Sequence, residues 1–89
     1  MTKQLQHKLT RRLNIVAGQV RGLQAMIARE DYCVDIIHQS LAIQKALSSL
    51  NQEMMKNHLS THVVHQMKTG KEAQAINEIL SICKLSDKL

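Results

Sequence analysis

CVDIIHQSLAIQKALSSLNQEMMKNHLSTHVVHQM, residues 33–67, contains neither Gly nor Pro and reads as one long helix. Its chemistry sits at its two ends. Cys33 opens the stretch, while His58 and His62 stand four residues apart near its close. The 25 residues from Cys33 to His58 correspond to roughly 37 Å of helix rise, so one chain cannot bring the thiol to the imidazoles. Two copies packed antiparallel can, because the start of one helix then lies beside the end of the other. The expected symmetry axis crosses near residue 46 or 47, where Ala42, Ala46 and Ser49 permit close approach. The spacing therefore predicts an obligate antiparallel dimer with two equivalent sites, each shared between subunits.

Outward from this helix, Ile36, Ile37, Leu41, Ile43, Leu47, Leu50, Met54, Leu59, Val63 and Val64 spread over more than one stripe, as expected of a central element covered by its own chain and by a partner. Upstream, Leu5, Leu9, Leu13, Val16, Val20, Leu23 and Ile27 advance by three or four and define a first helix with a continuous apolar seam. Gly18 and Gly22 inside it cost about 1 kcal/mol each relative to Ala, which suggests close approach by another backbone. Residues 29–31 break the pattern, with Asp31 placed to cap the central helix. Downstream, residues 68–70 form a turn with Gly70 as its C-cap glycine, and a third helix runs from about Lys71 to Leu85. Its apolar positions are Ala75, Ile76, Ile79, Leu80 and Cys83, with Cys83 read as a small core residue. The fold class is all-α: a three-helix subunit whose antiparallel dimer forms a four-helix core, with residues 1–89 making a single domain.

A chain of 89 residues has a limited core, which by itself favours oligomerisation. Trp, Phe and Pro are absent and Tyr occurs once, consistent with an all-helical chain. The cysteines, Cys33 and Cys83, lack paired spacing, and no apolar run approaches the roughly 18 residues of a membrane span. Without a visible signal peptide, the expectation is a cytoplasmic protein with reduced thiols and no membrane partner. The net charge of +5 favours a polyanionic partner, nucleic acid first.

His58 and His62, at i and i+4, put two imidazoles within chelating reach of one ion, and His65 at i+7 is an additional candidate ligand. With a thiolate from Cys33, the set suits Cu(I), Zn(II), Ni(II) or Co(II), and soft sulfur at low coordination number points first to Cu(I). His7 and His38 read as polar surface positions, and the methionines at 26, 54, 55 and 67 as core filler.

Gly18-Gln19-Val20-Arg21-Gly22-Leu23, then Tyr32-Cys33-Val34-Asp35, then His58-Leu59 and His62, resemble the CsoR/RcnR family of bacterial metal-sensing repressors over nearly the whole chain. The resemblance implies antiparallel dimers that pair into disc-shaped homotetramers, bind operator DNA without metal, and release it on metal binding. It implies Cys33 as the ligand from one subunit and His58 and His62 as those from the other. Copper sensors of the family commonly carry Cys where this chain has His62, although some carry His. Tyr32 and Glu78 match positions that copper sensors use around the metal-bound His, and a hydrogen bond from His58 to such a partner would orient its ring. Nickel and cobalt sensors share Cys, His and His here but also use an N-terminal His two residues into the chain, where this sequence reads Met1-Thr2-Lys3. Formaldehyde sensors share the Cys and pair it with a Pro where this chain has Thr2. Persulfide sensors need a second Cys in place of His62.

No helix-turn-helix, zinc finger or aromatic RNA-binding motif is visible, so an inserted recognition helix has no support. The candidate contacts to double-stranded operator DNA are Lys8, Arg11, Arg12 and Arg21 on the first helix and Lys45 on the second, acting through charge and duplex shape. An enzyme is not expected. Cys and His could pair as nucleophile and base, but the sequence offers no Gly-rich oxyanion loop and no third orienting residue.

Overall fold

The structure, a computed structural model, describes residues 1–86. It is helical throughout, with no strand among the described residues: α1 (Lys3–Ala28), α2 (Cys33–His58), a π-helical turn (Leu59–Val63), α3 (Val64–Lys68) and α4 (Glu72–Ser86). The central stretch is thus a helix with one π turn in it, flanked by a helix on either side along the chain. None of the helices is long and apolar enough to cross a membrane. The chain divides into two compact units, Met1–Met54 and Met55–Leu89.

In the first unit, α1 starts where the Thr2 hydroxyl accepts the Leu5 N–H at 3.1 Å, satisfying one of the donors a helix start leaves open. It ends on a Schellman arrangement. The N–H groups of Glu30 and Asp31 reach back to the carbonyls of Ile27 and Met26, both at 3.0 Å. The position that such an ending normally gives to glycine is held by Glu30, at φ 54°. Asp31, expected as the cap of α2, is instead held by Arg29, whose Nη2 lies 2.7 Å from its Oδ2. The chain enters α2 one residue later, with the Tyr32 carbonyl accepting from Asp35 and Ile36.

α1 and α2 form an antiparallel pair. Lys8 Nζ meets Glu53 Oε1 at 3.2 Å, and Gln39 Nε2 donates to the Gln19 carbonyl at 3.1 Å. Leu9, Val16 and Ile43 are buried between them. The continuous seam expected on α1 divides in two. Leu5, Leu9, Val16 and Leu23 are covered or partly covered, while Leu13, Val20 and Ile27, at seven-residue intervals, are 46%, 39% and 58% exposed. Gly18 and Gly22 are not forced by backbone approach. A Cβ at Gly22 would meet the Gln39 amide at 3.7 Å and one at Gly18 the Arg21 guanidinium at 3.6 Å, both ordinary contacts.

In the second unit, Val63 and Ala75 are buried. Thr69 ends α3, Gly70 turns the chain at φ 75°, and the Lys71 N–H closes the turn on the Gln66 carbonyl at 2.7 Å, the C-cap expected there. Cys83 departs from expectation: it is exposed, as are Ile76 and Leu80. Among the apolar positions of α4 only Ala75 is buried, because so short a unit offers α4 little surface to pack against.

Candidate metal centre and basic face

Cys33 is the first residue of α2, exposed and free of any disulfide, and His58 is the last. Tyr32, just before the thiol, is also exposed. The imidazoles of His58 and His62 lie together, their ring centroids 5.3 Å apart and their planes inclined by 27°. The π turn starts directly after His58 and contains His62. Two hydroxyls bond back along it: Thr61 Oγ1 donates to the Asn57 carbonyl at 2.7 Å, and Ser60 Oγ reaches the carbonyls of Lys56 and Asn57 at 2.9 and 3.1 Å. These hydroxyls occupy carbonyls that an α-helix reserves for its own N–H ladder. An i→i+5 turn takes in one residue more than an α turn, so everything beyond it is rotated by about 100° from the uninterrupted register. His62 stays beside His58, whereas the turn carries His65 off their shared face.

Glu78 on α4 faces the pair, its Oε2 3.6 Å from His58 Nε2, an electrostatic approach longer than a hydrogen bond. Gln74 Nε2 donates to Glu78 Oε1 at 2.9 Å. That bond is the main cause holding the Glu78 carboxyl below its ordinary range. Gln66 and the neighbouring His58 act in the same direction, and partial desolvation opposes them. Glu78 was legible in the sequence. The amides that fix it were not, although Gln74 and Glu78 stand at the i, i+4 spacing of a helical pair. Within one chain no three His, Cys, Asp or Glu side chains gather around a common point among the described residues.

The basic candidates occupy unlike settings. Arg11, Arg21 and Lys45 are exposed. Lys8, about half exposed, is engaged by Glu53. Arg12 is only partly exposed, and its Nη1 is buried without a hydrogen-bond partner. It lines a groove of about 260 Å³ with Ile15, Val16, Gln19, Ala46 and Ser49, into which α1 and α2 contribute one side each. Neither charge nor spacing marks Gln19, whose Oε1 is likewise buried and unpaired, in the sequence, whereas Ala46 and Ser49 were expected at a close approach between subunits and here line the groove.

Comparison with known proteins identifies the family. The model of a family described as metal-sensitive transcriptional repressor matches residues 5–84. The copper-sensing transcriptional repressor CsoR of Bacillus subtilis (strain 168) is 37% identical over 89 residues, covering 92% of this chain and 88% of that protein. The transcriptional repressor RcnR of Salmonella typhimurium (strain LT2) is 32% identical over 75 residues, covering 84% of this chain and 83% of that protein. The crystal structure of the copper-sensing repressor CsoR with Cu(I) from Geobacillus thermodenitrificans NG80-2 matches with a TM-score of 0.90 at 32% identity, covering 99% of this chain and 92% of that one. The chain belongs to this family, one of repressors and not of enzymes: it is a metal-sensing transcriptional repressor of the family that includes CsoR and RcnR.

Proposed function

We propose that this repressor binds operator DNA as a metal-free homotetramer of antiparallel dimers and is released by Cu(I) held between subunits. Cys33 of one subunit and the partner subunit's His58 and His62 are the ligands. The carrying observation is the close pair of imidazoles at one end of the central helix, with a free thiol at the other end. One thiolate and two imidazoles suit a soft ion of low coordination number, and the relatives described as copper-sensing agree with that choice. Self-association is supported by the apolar side chains a single chain leaves in water, among them Leu13, Val20, Ile27, Ile37 and Leu41. Lys8, Arg11, Arg12, Arg21 and Lys45 contact phosphates. Residues 1–89 act as one domain, in the cytoplasm, with no membrane partner.

Glu78 is the route from metal to DNA. A ligand shifts an equilibrium only through a difference in its affinity for the two states, and the side chain linking His58 to α4 supplies one. Nickel or cobalt is the second reading, favoured by His62 where copper sensors commonly carry Cys. Anisotropy of a labelled duplex carrying the protein's own promoter, titrated anaerobically with apo protein and then with Cu(I) or Ni(II), decides between them. Release by stoichiometric Cu(I) alone is expected. Release by Ni(II) alone moves the protein to the nickel and cobalt branch, and tight binding undisturbed by either metal leaves Cys33 as a sensor of formaldehyde or another electrophile.

A further inference from the structure

The groove and the ion pair beside it form one continuous feature of the α1–α2 pair. Along α1 the groove residues Arg12, Ile15 and Gln19 advance by three and four, and Lys8 extends that row by one further step of four. Along α2, Ala46 and Ser49 are followed by Glu53 in the same way. The Lys8–Glu53 pair, at 3.2 Å, therefore closes one end of the groove. The exposed apolar row of Leu13, Val20 and Ile27 lies about 100° further round α1, on a different face of that helix from the groove. Lys45, one step of four before Ser49, and Arg11, next to Arg12, add positive charge near the groove. Glu53 is a carboxylate in an otherwise basic setting, and it is bound to a lysine that the DNA reading needs.

We infer that Glu53 sets the affinity of this repressor for DNA by occupying Lys8 in the free protein, standing where a backbone phosphate stands in the complex. This role rests on the DNA-binding reading above. The Lys8 side chain is 51% exposed, so a phosphate can reach its ammonium while the carboxylate lets go. Exchange is cheap in both directions, because a solvated ion pair contributes little free energy and is weakened further by salt. Glu53 thereby keeps operator affinity low enough for a small metal-induced change to empty the site. Its role is one of positioning: it touches Lys8, and Lys8 touches DNA.

The test is a double-mutant cycle on the full chain, reading anisotropy of the labelled promoter duplex with metal-free wild type, Glu53→Gln, Lys8→Ala and the double variant across a salt series. Glu53→Gln is expected to bind roughly two- to five-fold tighter per engaged subunit at low salt. The slope of log K against log salt should steepen by about one for each lysine released to phosphate. In the Lys8→Ala background the same change should do nothing. Equal gains in both backgrounds would show direct repulsion between Glu53 and DNA and overturn the role through Lys8, as would no gain or a loss. Failure of the wild type to bind any promoter duplex would sink the DNA-binding reading itself, whereas a binding wild type with uncoupled variants removes Glu53 alone. Glu53→Gln keeps the side chain's size, and circular dichroism of each variant confirms that the helices are intact.

Discussion

Glu30 shows most clearly what one side chain contributes here. Its backbone lies in the left-handed region that L-residues other than Asn and Asp rarely enter, because Cβ crowds the neighbouring carbonyl. Glu30→Gly should stabilise the protein by about 1 kcal/mol, the relieved strain exceeding the extra freedom glycine has when unfolded. Thermal melts of the two proteins at equal concentration check this. The neighbouring Arg29–Asp31 pair carries a pH dependence. The guanidinium, through its hydrogen bonds first, holds the Asp31 carboxyl below its ordinary range. Its contribution is therefore complete above the unfolded carboxylate pKa, about 3.9, and is lost as the pH falls through the lower folded value. The difference in melting temperature between wild type and Asp31→Asn should be constant above about pH 5 and vanish in stronger acid. Neither feature was legible beforehand. Asp31 has the chemistry of a helix cap, and only its nearness to Arg29 withdraws it from that role. Glu30 carries no signal at all, since the position it takes is one that glycine usually advertises.

At the scale of elements, the positions of the helices were readable because apolar periodicity and turn chemistry agreed, as at Gly70, where both the glycine and its φ match the expectation. The π turn was not anticipated. Ser60-Thr61, two hydroxyls that bond back to carbonyls one turn earlier, accompany it, but such bonds also occur in regular helix, as at Ser81 of α4, and so mark no π turn in a sequence. His58 stands just before the turn and His62 within it, and their rings stay together, while His65, beyond the turn, loses the register that the sequence assigned to it. The glycines of α1 tell a second story. Expected to admit another backbone, Gly18 and Gly22 have room for a methyl group within the chain. Gly22→Ala should then raise the helical stability of an isolated subunit by about 1 kcal/mol. Chemical denaturation at low protein concentration measures that, and a loss of stability appearing only at high concentration would place the close approach between subunits.

For the whole molecule, a single chain buries few large side chains, and the apolar rows left on α1 and α2 are the main reason to expect association. This much was implicit in the sequence, where the central helix carries more apolar positions than one neighbouring helix can cover. Which of those positions face inward required coordinates, because a seam at spacings of three and four serves equally for one broad contact or for two narrow ones. The placement of Cys33 and His58 at opposite ends of α2 has a genetic consequence. Subunits carrying Cys33→Ser and subunits carrying His62→Ala should each be inert to copper when alone, yet complement one another when expressed together. In a mixed antiparallel pair one site collects both defects and the other none. Such hybrids should bind one Cu(I) per two chains and recover derepression in cells, whereas a centre built within a single chain would leave every hybrid as deaf to copper as its parents.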